Sequence, residues 1–205
     1  LSGHKAEAGE TRLVDVALRQ AARLARLVGD PVDMRRMQNG RFAIDRQHFR
    51  LDEIVARAVE AAQLLNEQVG IHLQIADAPL VVDGDPVRIE QVVLILVANA
   101  VTHASGKASV NVRLRRSNGN AELQVEDHGL GIPPVDLPHV FSRFYQVQTT
   151  DQSAQPGLGL GLYIAKEIVE AHGGAIDVAS AQGQGQGTTF TVQLPPAERA
   201  PSPRR

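Results

Sequence analysis

The 205 residues carry 21 Lys and Arg against 23 Asp and Glu, a net charge of −2, with 43% hydrophobic and 21% charged residues. This is the composition of a globular chain long enough to bury a core. It excludes disorder throughout, a fibrous repeat and a strong field drawing the chain to nucleic acid or anionic lipid. Cys is absent, which removes disulfides, thiolate metal sites and cysteine nucleophiles, and aromatics at 3% are too few for a base-stacking platform.

In chain order, residues 1–10 are small and polar and read as a loop. From Thr11 an amphipathic helix is expected, with Leu13, Val16, Ala17, Leu24, Leu27 and Val28 on one stripe; Pro31 kinks or ends it, and Asn39-Gly40 closes the region. Leu51–Gln68 reads as a second helix. Ile71–Ile75 alternates like a strand, and Leu80–Val82 is another short one. Asp85-Pro86 opens a helix running to about Ala104, the Asp as cap and the Pro in the first turn. Its apolar run, Val92–Ala100, is the longest in the chain and falls far short of the roughly 20 residues of a membrane span. Ala108–Arg115 and Glu122–Glu126 form a hairpin around Asn118-Gly119. Gly161–His172 is helical, and Ala175–Ala179 and Thr188–Leu194 are the last strands. Residues 195–205, rich in Pro and charge, do not fold alone. The mixture points to an α/β sandwich, helices on one face of a mostly antiparallel sheet. With Leu rather than Met at its start and no signal peptide, the chain reads as a piece of something longer.

Four stretches carry chemistry. Asp127-His-Gly-Leu-Gly131 follows a strand directly: a carboxylate at a strand end accepts hydrogen bonds, and the glycines let backbone approach a flat ligand, although a tight turn has the same look. Gly157-Leu-Gly-Leu-Gly161 leads into a helix, where exposed amides and the positive helix end suit phosphate; it has neither the dinucleotide nor the Walker A spacing. Asn99 stands in an otherwise apolar helix, either satisfied structurally or offering an oxygen to a hard cation such as Mg²⁺. Phe141, Phe144 and Tyr145 put three of the chain's seven aromatics within five residues, in part a core anchor.

Taken in order, these stretches resemble the catalytic, ATP-binding domain of sensor histidine kinases over about residues 48–195. Asn99 matches the N box, Asp127–Gly131 the first glycine box, Phe141–Tyr145 the F box, Gly157–Gly161 the second glycine box, and Gly185–Phe190 the entry to the closing strand. The resemblance implies a two-layer α/β sandwich of the Bergerat type, preceded by an amphipathic helix. Residues 1–45 would be part of a dimerisation hairpin, its second helix, without the H-box histidine; residues 46–196 would be the ATP-binding domain and 197–205 a disordered tail. It implies ATP and Mg²⁺ as cofactors. Asp127 would take the adenine amino group, beside Gly129 and Gly131, with Thr188 supporting adenine through water. Asn99 would hold Mg²⁺. Gly157, Gly159, Leu160 and Gly161 would line the phosphates, Gly159 and Gly161 as backbone donors. His103 would reach phosphate, and Arg143 would stand near the transferred group or its acceptor. Gln146–Pro156 would be a lid. The implied partners are a response regulator's receiver domain and a second copy in the full-length parent, with no nucleic acid and no membrane contact by this part; the implied location is cytoplasmic, which is compatible with a membrane-anchored parent.

Three departures stand against the family pattern. Ile95 occupies a position that is usually polar, Thr102 one that is usually Lys or Arg, and Pro31 interrupts a helix that usually continues. Two other readings therefore stay open: a degenerate nucleotide-sensing module and a hydrolytic ATPase like gyrase, the second disfavoured because Ile95 stands where its base would be. The histidines His48, His72, His128, His139 and His172 are expected at the surface or in turns, and His4 lies outside any H-box context.

Overall fold

The computed structural model describes residues 44–104, 109–147, 158–183 and 186–197. The chain divides between Phe42 and Ala43 into two units, and every described residue belongs to the second. The helix expected over residues 11–39, most of the lid, Gly157 and the last eight residues lie outside the described residues.

The elements run β1 (Gln47–Arg50), α1 (Leu51–Leu65), β2 (Ile71–Ile75), β3 (Val81–Gly84), α2 (Pro86–His103), β4 (Val110–Ser117), β5 (Asn120–Asp127), a 3-10 turn (Leu137–His139), α3 (Gly161–Ala171), β6 (Ala175–Ser180) and β7 (Thr188–Leu194). Strands β2-β4-β5-β7-β6 form one sheet, parallel between β2 and β4 and antiparallel elsewhere. Strands β1 and β3 pair antiparallel in a separate two-stranded ribbon. The sequence pattern does not reveal β1, because its four residues show little alternation and three of them are exposed.

Period-two alternation decides which face of the sheet is covered. Val110, Val112 and Leu114 of β4, Leu123 and Val125 of β5, and Phe190, Val192 and Leu194 of β7 are buried. They pack beneath Val55, Ala58 and Val59 of α1, Val93, Leu96 and Val97 of α2, and Ile164, Ile168 and Val169 of α3, all buried as well. The opposite face is polar and pairs with itself: Arg113 bridges Glu126 at 2.9 Å and Arg115 bridges Glu122 at 2.6 Å. The two-layer sandwich with helices on one face is thus the architecture that the sequence pattern predicts.

Local chemistry fixes the helix ends. Asp85 caps α2 by accepting from the amides of Val87 (3.0 Å) and Arg88 (3.2 Å), with Pro86 in the first turn. Arg57 of α1 makes a two-pronged hydrogen bond to Glu90 of α2, at 3.1 and 3.0 Å. Asn118 (φ 51°) and Gly119 (φ 86°) form the left-handed pair that a two-residue hairpin requires.

Of the two places expected for the histidines, surface or turn, His172 takes the turn after α3, where it is 2% exposed. Its Nδ1 bonds the Ile168 carbonyl at 2.7 Å and its Nε2 accepts the Asp85 amide at 2.9 Å, which ties the end of α3 to the start of α2. The Pro-rich tail also begins attached: Pro196 bridges Val82, and the Ala197 amide donates to the Val81 carbonyl at 3.1 Å. A third strand edge supplies the partner that this segment's composition cannot supply alone.

Candidate functional site

Strand register assembles one end of the site. Asp127 is the last residue of β5, continuing the buried row Ala121, Leu123, Val125, so a carboxylate falls where the pattern would put a core side chain. Across the sheet it faces Thr188 on β7, which in turn faces Ser180 on β6. Asp127 is 3% exposed, and its Oδ1 accepts the Gly129 amide at 2.8 Å. Burial pushes its carboxyl above the usual range; the amides of Gly129 and Thr188 and the nearby His103 and His128 pull it back. A carboxylate held this way is an acceptor aimed at a hydrogen-bond donor.

The glycines around it are needed for close approach. A Cβ on Gly129 would fall on the His103 carbonyl, and one on Gly131 (φ 72°) on the Ala181 carbonyl. Gly187 (φ 66°) lies against the backbone of Asp127 just as tightly, and its amide donates to the Gly129 carbonyl at 3.2 Å. The loop after β5 is therefore sealed against both the end of α2 and the β6–β7 connection.

The other end is the start of α3. Leu160 precedes it, buried, and provides no side-chain cap, and the first turn holds no acidic residue. The contrast with the Asp85 cap of α2 is direct: among the described residues no side chain caps the first amides of α3, which carry the positive helix end. Gly159 (φ 66°) abuts the F segment backbone, since a Cβ there would lie 2.7 Å from the Phe144 carbonyl carbon and 2.8 Å from the Tyr145 oxygen. Phe144 is itself left-handed (φ 60°) and 61% exposed. Phe141 instead packs edge-on against Phe190, centroids 6.2 Å apart, so the core-anchor role belongs to the first Phe of the segment.

Helix α2 spans the two ends. Ile95 touches Gly161 at the α3 end: a Cβ on that glycine would lie 3.4 Å from Ile95 Cγ2. Asn99, half-buried, is one turn further, and His103, exposed, one turn further again, against Gly129. Eight residues at 1.5 Å each separate Ile95 from His103 by about 12 Å along the axis. His103 accordingly stands at the Asp127 end of this line. Thr102 is turned onto its own helix, its hydroxyl donating to the Ala98 carbonyl at 2.7 Å.

Arg143 is exposed but engaged. Its Nη2 donates to the Tyr163 hydroxyl at 2.6 Å, and its guanidinium carbon lies 4.6 Å from that ring's centroid. Tyr163 also meets Glu167, so Arg143 joins a chain of polar contacts along the first turns of α3. Tyr145 donates to Asp136 Oδ1 at 2.6 Å. Among the described residues no group of three or more His, Cys, Asp or Glu could hold a metal ion. A divalent cation here would have Asn99 as a protein oxygen ligand and draw the rest from ligand and water, the habit of Mg²⁺.

Ser180 is a residue of this site that the motifs do not point to. Ser180 accepts the Ile132 amide at 2.8 Å, donates to the Gly187 carbonyl at 2.8 Å and meets Thr188 Oγ1 at 3.0 Å. The signal for it is alternation: Ile176, Val178 and Ser180 share a face, and a hydroxyl on a covered face needs partners.

A buried carboxylate and a glycine-led helix start thus lie at the two ends of an Asn-bearing helix. Residues 84–198 match the model of the family described as histidine kinase-, DNA gyrase B- and HSP90-like ATPases, and the chain belongs to that family. It is 36% identical over 181 residues to the signal transduction histidine-protein kinase/phosphatase MprB of Mycobacterium avium, covering 87% of this chain and 34% of that protein. A solved mycobacterial sensor histidine kinase MprB superposes with a TM-score of 0.65 at 32% identity, covering 74% of this chain and 98% of that one. The circadian input-output histidine kinase CikA of Synechococcus elongatus is 33% identical over 189 residues, covering 87% of this chain and 25% of CikA. Full-length ShkA, solved in complex with AMPPNP, superposes with a TM-score of 0.73 at 25% identity, covering 93% of this chain and 40% of that one. The chain thus spans a quarter to a half of the curated relatives it matches.

Proposed function

We propose that the chain is the ATP-binding catalytic part of a two-component sensor histidine kinase, passing the γ-phosphoryl group of ATP to a histidine for relay to a response-regulator aspartate. The observation that carries this is the pairing of the two site ends: a buried Asp127 for the adenine amino group and the uncapped start of α3 for phosphate, with Asn99 of α2 between them. The AMPPNP complex of ShkA supports the nucleotide class.

In this reading Asp127 accepts from adenine, with Gly129 and Gly131 holding the loop that positions it. Gly157, Gly159, Leu160 and Gly161 supply the approach to phosphate. Asn99 orients Mg²⁺, which when bound neutralises phosphate charge and leaves the protein mainly a task of positioning. His103 borders the base, and Arg143, steadied by Tyr163, faces the acceptor side. The partners are a receiver domain and a second copy of the parent, and the supply of ATP puts this part in the cytoplasm. Among the described residues no helix is long and apolar enough to cross a membrane.

A second reading, a nucleotide-sensing module with little transferase power, is favoured by two observations. Ile95 fills the place beside Gly161 with methyl groups, and Thr102 bonds its own helix rather than reaching outward. Titration calorimetry with Mg·ATP, followed by single-turnover transfer from γ-labelled ATP to the parent's histidine hairpin, separates the two. Binding with transfer supports the kinase and binding alone the sensor. Absence of ATP binding would overturn both.

A further inference from the structure

Ser180 Oγ has three partners and a single hydrogen. A hydroxyl offers one donor and two acceptor lone pairs. The hydrogen goes to the Gly187 carbonyl at 2.8 Å, and one lone pair takes the Ile132 amide at 2.8 Å. The contact to Thr188 Oγ1 at 3.0 Å can then be made only one way: Thr188 donates and Ser180 accepts. The register puts Ser180 and Asp127 on opposite sides of Thr188, since Thr188 pairs with Asp127 across β5–β7 and with Ser180 across β6–β7. The lone hydrogen of the Thr188 hydroxyl is therefore drawn away from Asp127, and the oxygen's lone pairs are left for the Asp127 side.

We propose that Ser180 is a specificity-determining positioning residue: it locks the Thr188 hydroxyl as an acceptor, so that Thr188 and the Asp127 carboxylate together present an acceptor-only edge to the purine. Such an edge receives an exocyclic amino group and repels a carbonyl at the same position. Adenine has the amino group there; hypoxanthine and guanine have the carbonyl. Asp127 alone favours adenine, but a freely rotating Thr188 hydroxyl would donate to a carbonyl and relax the discrimination. Ser180 removes that freedom from a distance, without touching the base. The backbone amide of Thr188 is already committed to Asp127, which leaves the hydroxyl as that residue's adjustable donor. This inference rests on the ATP-binding reading above.

The test compares Mg·ATP with Mg·ITP, which differ in the 6-substituent, amino against carbonyl, and in the proton that N1 then carries, by titration calorimetry on the whole chain; the effect of Ser180 is read as a change in the ratio on substitution, in which the constant N1 contribution cancels. Ser180→Ala should lower the ATP-to-ITP affinity ratio by roughly two- to tenfold, the worth of one neutral hydrogen bond gained by the wrong base. In a Thr188→Val background the same substitution should leave the ratio unchanged, because the hydroxyl it releases is gone. If Ser180→Ala does not fold, Ser180→Cys fills the site with a somewhat larger atom that is a weak acceptor, and its ratio should fall in the same direction. A purely structural role would lower both affinities together at constant ratio, and that result overturns the proposal while leaving the ATP-binding reading intact. Failure of the unaltered chain to bind ATP overturns both.

Discussion

Ile95 and Gly161 are in contact: a Cβ on Gly161 would stand 3.4 Å from Ile95 Cγ2, so an aliphatic side chain borders the first residue of α3. Asn99 lies one helical turn along and shares that face. In the proposed reading this position borders the phosphates and offers them no hydrogen bond. In acyl transfer, losing one positioned donor at the reacting group costs about 2.7–4 kcal/mol, and by analogy this sets the ceiling for restoring one. Ile95→Asn should raise the single-turnover transfer rate, by at most about 10²–10³-fold, while ATP affinity changes little. The check is transfer to the parent's histidine hairpin at saturating ATP. An unchanged or lower rate in a folded, ATP-binding variant would mean that Ile95 serves packing alone.

Asp127, proposed above as the adenine acceptor, costs stability when ionised in its buried position. Burial raises its carboxyl above the ordinary range, so the proton is held more tightly in the folded chain than in the unfolded one. Stability from this group is full at low pH and is lost as pH rises through the raised value. Asp127→Asn removes the buried charge yet keeps an oxygen for the Gly129 amide. At pH 7 the variant should stay close to the parent chain in urea resistance, relief of the buried charge being offset by the lost acceptor for the Thr188 amide. Its ATP affinity should fall on the order of 10- to 100-fold, the range for a hydrogen bond to a charged group. Parallel loss of stability and binding would show the carboxylate to be a structural brace instead.

Gly159 sits in the left-handed region at φ 66°, with Phe144 and Tyr145 backbone atoms where a Cβ would go. Gly159→Ala costs about 1–2 kcal/mol for the backbone conformation alone, before the collision is counted. Because the collision is with backbone, no rotamer change relieves it. The F segment and the start of α3 should move apart, and ATP affinity should fall with a modest loss in urea midpoint. Hydrogen exchange at Gly161–Tyr163 should speed up. Unaltered exchange and affinity would argue that this glycine is not needed for close approach.

What was legible in the sequence followed from short-range rules. Asp85-Pro86 opens α2, Asn118-Gly119 turns the hairpin, and alternation in β4 and β7 marks the covered face, all through interactions within a few residues. The ordered glycines and Asn99 marked out the site because their spacing is unusual. Strand β1 was not legible, since its partner β3 lies more than thirty residues on and its own pattern is nearly featureless. Ser180 and His172 escaped for a different reason. A serine or histidine looks alike in the chain whether solvated or buried, and here only register and long-range packing supply the partners.

His172 leads to a pH dependence with a definite sign. Its Nε2 accepts the Asp85 amide at 2.9 Å and its Nδ1 side faces the Ile168 carbonyl at 2.7 Å, so the ring is neutral with the proton on Nδ1. Protonating Nε2 would set an N–H against the Asp85 N–H. Burial is the main cause that lowers its pKa below the ordinary value of 6.5, and Arg46 adds to it; the Ile168 carbonyl, Asp85 and Asp83 oppose. A depressed folded value means that the stabilisation is full above about 6.5 and is lost as pH falls from there through the folded value. Each unit of depression is worth about 1.4 kcal/mol. Asp52 and Glu122, whose folded values are lowered below the ordinary carboxylate range, lose their contribution at more acid pH, whereas Asp127, whose value is raised, gains stability as pH falls and opposes the His172 term. Between pH 7.5 and 5.5 His172 should pull the urea midpoint of the unaltered chain down, an effect read against a His172 variant in which the Asp127 term is the same. His172→Gln should be less stable at pH 7.5 but should show a smaller drop over the same interval, because Gln offers an acceptor that does not titrate. The adjoining Gly84 allows no compensation by repacking, since a Cβ there would fall on the His172 ring. An equal drop in both proteins would place the acid sensitivity elsewhere and reduce His172 to a packing residue.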